Sequence, residues 1–127
     1  MTVEPNKNTR ERIENALRAF ENSDAAAAAS TYAENGVFID PHYPASEYQG
    51  REAIREAFEW ALTNIVEQPG FSVRNSIGAG DTYAIEVDTH HVAKDGSKRE
   101  FPQVFVVEGD ETGITRWRTY LPFPPDE

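Results

Sequence analysis

The chain has no cysteine among its 127 residues. Disulfides, thiolate metal sites and cysteine nucleophiles are thereby excluded. Lysine is scarce, with Lys7, Lys94 and Lys98 the only three among twelve bases. Against them stand 22 acids, for a formal net charge of −10. That balance speaks against a uniformly basic nucleic-acid face. It suits ordinary solubility, and equally a salt-rich cytoplasm. No apolar run is long enough to span a membrane. The opening "MTVEPNKNTRERIE" lacks the apolar core of a signal peptide. The expectation is a cytoplasmic protein without membrane or nucleic-acid partners. The length fits one domain burying its own core, with a flexible tail over residues 1–8 and a single domain over 9–127.

What is present reads as helices first and strands later. A helix is expected from Thr9, with Asn8 and Glu11 at the spacing of a capping pair. Ile13, Ala16, Leu17 and Phe20 recur at helical spacing and give it one apolar face. "ENSD" interrupts, and the alanine-rich "AAAAASTYA" favours a second helix that Asn35-Gly36 would end. A short strand over 37–40 runs into "DPHYPASEYQG", where Pro41 and Pro44 oppose regular structure. A third helix is expected from about Arg51 to Val66, its apolar face made of Ile54, Ala57, Phe58, Ala61, Leu62 and Ile65. The period then changes to two. "FSVRNSI", "TYAIEVDTHHV", "REFPQVFVVE" and "ITRWRTYLP" read as four antiparallel strands, the middle pair joined by a turn containing Asp-Gly. This is an α+β plan, with helices on one face of a curved sheet.

Alternation leaves the facing of the long strand open. Tyr83, Ile85, Val87 and Thr89 share one face; Glu86, Asp88 and His90 share the other. The polar row can face water, or it can line a cavity if the sheet curls. On the last strand Trp117 and Thr119 alternate with two arginines, so the tryptophan side should look inward.

The order of elements, with "DAAAAASTYAENGVFIDP", "GREAIREAF", "FPQVFVV" and "ITRWRTYLP", resembles the NTF2-like superfamily. It resembles especially the SnoaL-like branch, with its polyketide cyclases, steroid Δ-isomerases and limonene-epoxide hydrolases. The resemblance covers roughly residues 10–122. It implies an α+β cone, three N-terminal helices packed on a curved, mostly antiparallel sheet, with a pocket between them. It also implies a homodimer through the outer sheet face. Asp40 falls where the isomerases keep a catalytic base, and Gln103 where they keep an acid that donates to an oxyanion. Their oxyanion tyrosine would fall near Ala16, which has no donor. Against the epoxide hydrolases, Asp88 matches a catalytic aspartate, but Glu86 replaces an arginine and Thr119 replaces the water-activating aspartate. Phe38 and Asp40 replace their other water-binding pair. The comparison places Glu86, Asp88 and His90 on the pocket side.

The resulting expectation is a pocket with Asp40 as general base, Asp88 and His90 assisting, and Gln103 holding a developing oxygen anion. Phe38, Phe58 and Trp117 would form its walls, with Glu86 and Thr119 among the binding groups and His42 and Tyr43 at the mouth. His91, on the opposite face from His90, would sit at a surface or interface. The ligand would be a small, partly apolar carbonyl or ring compound, with no cofactor and no metal. Two other readings stay open. Asp40 can cap the turn that follows it, and a fold of this kind can serve as a binding or dimerisation module without catalysis.

Overall fold

A computed structural model describes residues 4–121. Helix α1 spans Lys7–Glu21, two residues earlier than the capping pair suggested. Asn6 is the cap, because its side chain accepts from the Asn8 N–H at 2.9 Å. Asn6, just before the helix, is tied down: its N–H donates to Gly80 O at 2.7 Å, and the Tyr83 hydroxyl donates to Asn6 O at 3.1 Å. Residues 1–3 of the expected tail lie outside the described residues. Helix α2 spans Ala25–Ser30 and is capped by Asp24, which accepts from Ala27 N–H. Helix α3 spans Arg51–Asn64.

Asn35-Gly36 does not end α2, which stops at Thr31. Both residues lie inside strand β1, Tyr32–Ile39. A Cβ at position 36 would come within 2.7 Å of the Ile114 carbonyl, so glycine is there for a close strand approach. The segment holding the two prolines finishes in a short strand, β2, Glu47–Gln49, paired with β1. A second short strand, β3, Val66–Gln68, follows α3. The four expected strands are β4, Phe71–Ala79; β5, Thr82–Ala93; β6, Lys98–Asp110; and β7, Gly113–Tyr120. The expected continuation of the domain over 122–127 lies outside the described residues.

The strands form one sheet in the order β2-β1-β7-β6-β5-β3, with β4 also on the β5 edge. β1 runs parallel to β7, and every other pairing between these strands is antiparallel. The helices cover one face. Ile13, Leu17, Phe20, Ile54 and Phe58 meet Tyr83, Ile85, Val87, Phe105, Val107 and Trp117 in a single buried cluster.

The register between β5 and β6 decides what faces that cluster. Val87 stands opposite Gln103 and Thr89 opposite Phe101. Cross-strand partners share a face. The inner row of β5 is therefore Tyr83, Ile85, Val87 and Thr89, all buried, with His91 next along it. Glu86, Asp88 and His90 point to the outer face, which corrects their expected place in the pocket. They make outer-surface contacts instead: Glu86 accepts from Asn75 at 3.0 Å, Asp88 faces Arg74 at 3.5 Å, and His90 lies 3.1 Å from Ser72.

Candidate functional site

A cavity of about 480 Å³ opens between the helices and the inner sheet face. Ala16, Leu17 and Phe20 of α1, Phe58 and Ala61 of α3, and Phe38, Phe105 and Trp117 of the sheet give it apolar walls. The rings are in mutual contact, with Phe38 5.0 Å from both Tyr43 and Phe58 and Phe105 4.8 Å from Trp117. Asp40, His42, Tyr43, His91 and Gln103 bring polar groups into this apolar space. Trp60, Phe71 and Phe101 also line it.

Asp40 ends β1 at the cavity and is only 7% exposed. The proline-bounded turn behind it serves its carboxylate. Oδ1 accepts from the backbone N–H of His42 at 2.8 Å, an Asx-type turn. The same oxygen lies 2.8 Å from His42 Nδ1. Oδ2 accepts from the Thr119 hydroxyl at 3.1 Å, reaching across the sheet to β7. Capping and site are thus the same arrangement. Beside a carboxylate, the neutral imidazole keeps its proton on Nδ1, which leaves Nε2 as the basic nitrogen. His42 also rests on Phe101, with ring centroids 5.3 Å apart.

Gln103 is 5% exposed. Its Nε2 donates to Thr89 Oγ1 at 2.7 Å, and its Oε1 is buried without a hydrogen-bond partner. An amide oxygen in that state is costly unless a ligand supplies a donor. Tyr43 is held neutral well above the usual phenol range, first by burial and then by the negative charge of Asp40. It can therefore donate a hydrogen bond throughout the physiological range.

His91 was expected at a surface or interface, and the structure puts it in the cavity wall. Its ring packs against Phe71, Phe20 and Phe101. Burial, and then the nearby His42, pull its pKa down to about 4, with Asp40 opposing. Of the residues expected in the site, the structure brings together Asp40, Gln103, Phe38, His42, Tyr43, Phe58, Trp117 and Thr119. It separates Glu86, Asp88 and His90 from them. Among the described residues, no group of three or more histidines and acids is placed to hold a metal ion. No described helix is long and apolar enough to cross a membrane.

Three helices closing a polar-tipped, apolar pocket against a curved sheet define the NTF2-like class of small α+β cones. More narrowly, the family model for the SnoaL-like domain matches residues 13–117, so the chain belongs to that family. Solved structures agree on the fold. A hypothetical protein of ketosteroid isomerase-like fold from Catenulispora acidiphila, in complex with trimethylamine, superposes with a TM-score of 0.79 at 19% identity. That match covers 91% of this chain and 86% of the other. TerC co-crystallised with polyporic acid gives a TM-score of 0.79 at 16% identity, over 90% and 91% of the two chains. An epoxide hydrolase from M. tuberculosis, of limonene-epoxide-hydrolase-like type, gives 0.76 at 16%, over 91% and 83%. A search of curated proteins found no match.

Proposed function

We propose that this SnoaL-like domain is a cofactor-independent acid/base catalyst acting on a small, partly apolar carbonyl or ring compound. The observation that carries this reading is the 2.8 Å contact between Asp40 Oδ1 and His42 Nδ1 at the edge of an aromatic cavity. The base role expected for Asp40 alone passes to the pair. Asp40 supplies the fixed negative charge and the orientation; His42 Nε2 takes the proton. With three contacts already on its two oxygens, Asp40 is better placed to hold its neighbour than to meet a substrate. A carbon-bound proton beside a carbonyl would move to His42 Nε2, leaving an enolate. Its return from the imidazolium to the same or another carbon completes an exchange or isomerisation, and the same base can activate water.

A second copy of the chain would cover the outer sheet face. Ile77 and Tyr120 lie there as large apolar side chains left 62% and 50% exposed. A cytoplasmic setting suits both proposals.

Deuterium exchange of 2-tetralone in heavy water, followed by proton NMR, tests the chemistry. This ketone has enolisable hydrogens and fits an aromatic-walled pocket. Wild type should accelerate the exchange. His42→Gln and Asp40→Asn should each lose about 10²-fold or more of that acceleration while keeping the native circular dichroism spectrum. Full activity in either variant would reject the pair as the base. Ketone binding without any exchange in wild type would favour a binding module.

A further inference from the structure

An enolate needs a hydrogen-bond donor at its oxygen. The first helix offers none, since Ala16, Leu17 and Phe20 are its lining residues. Gln103 gives one Nε2 hydrogen to Thr89, and its unpartnered atom is an acceptor. Tyr43 and the second Nε2 hydrogen of Gln103 are donors in the wall, and His91 is a third, the one whose tautomer the backbone sets.

The backbone N–H of Gly70 donates to His91 Nδ1 at 3.2 Å. A ring nitrogen that accepts a hydrogen bond carries no proton, so the proton of the neutral ring sits on Nε2. The contact depends on glycine. A Cβ at position 70 would come within 2.7 Å of the His90 carbonyl, so only glycine lets this backbone lie against β5. The Gly70 carbonyl accepts from His90 N–H at 2.8 Å and fixes the same approach. Phe71, Phe20 and Phe101 then hold the ring plane. Phe101 stands between the two imidazoles in strand order, with centroids 5.3 Å from His42 and 6.4 Å from His91. One ring is set up to accept a proton, the other to remain neutral and donate.

We infer that His91, through Nε2–H, is the donor that holds the carbonyl or enolate oxygen of the ligand, across Phe101 from the Asp40–His42 pair. The ligand class follows as a compact aromatic or alicyclic ketone, flat enough to lie among the rings. This inference rests on the pocket reading above, but it concerns recognition of the oxygen and not removal of the proton.

The experiment compares 2-tetralone with tetralin, the same skeleton without the oxygen, by tryptophan fluorescence titration. Wild type should bind the ketone more tightly. His91→Phe keeps the aromatic packing and removes the donor, so the preference should fall about tenfold. His91→Gln can accept from Gly70 and still donate, and should restore part of it. Nitrogen-15 NMR of the His91 ring at pH 7 should show the neutral Nε2–H form. An unchanged preference in His91→Phe, no preference in wild type, or a ring protonated on Nδ1 would each overturn the inference. Asp40→Asn should lose exchange yet keep the preference. Loss of the base reading alone is therefore distinguishable from loss of this one.

Discussion

Taking the protein from pH 7 to pH 4 tests the surroundings of His91 through stability. In the unfolded chain the ring titrates near 6.5; in the folded protein it titrates near 4. Above pH 6.5 neither state binds this proton, and the group costs nothing. As pH falls below 6.5, the unfolded chain takes up a proton that the folded protein refuses. Stability therefore drops, and the loss is complete only below about 4. Each pH unit in that interval is worth about 1.4 kcal/mol, so the whole interval removes roughly 3 kcal/mol. His91→Phe deletes this contribution. The other ionisable groups are the same in both proteins, so their contributions largely cancel in the comparison. Urea unfolding at pH 7, 5.5 and 4 should show wild type losing roughly 3 kcal/mol more than the variant. Parallel losses in the two proteins would refute the claim that the ring is buried and neutral.

Two further outcomes are expected. Thr119→Val removes the donor to Asp40 Oδ2 and should cost about 1.5–3 kcal/mol in urea unfolding at pH 7. An unchanged unfolding midpoint would mean that the hydroxyl does not hold the carboxylate. Ile77→Lys places a charge on the proposed dimer face, and sedimentation equilibrium should show the monomer gaining at micromolar concentration. Wild type sedimenting as a monomer at every concentration would dismiss that interface.

The helical layer was legible because its period is long and unbroken. The stripe of Ile13, Ala16, Leu17 and Phe20 is buried as spaced. Trp117 and Thr119 face inward because Arg116 and Arg118 make poor core residues. Asp40 at the end of an apolar strand was legible too, since charge after such a run needs a partner. The short strands β2 and β3 were not, because three residues carry too little pattern to separate them from a turn. The facing of β5 failed because it rested on the resemblance to the epoxide hydrolases, while alternation left both faces open. The hairpin carries the missing signal: a two-residue turn at Asp95-Gly96 would set Asp88 opposite Gln103. The turn has three residues, Lys94, Asp95 and Gly96, with Gly96 at φ 87°. That one residue moves the register by one and exchanges the two faces of the strand. His90 goes out and His91 comes in. "THH" gave no internal means of choosing between the two imidazoles, and the signal lay in the hairpin a few residues later.

The parallel pairing of β1 with β7 also governs when the Asp40 site exists at all. Asp40 reaches Thr119 over 79 residues of sequence. On the ribosome, the helices and the first strand emerge long before their central neighbour in the sheet. Contacts of such high separation close late and slowly. A nascent chain paused after β6 would carry an open apolar groove beside β1, a surface that invites chaperones or misassembly until the final strand arrives.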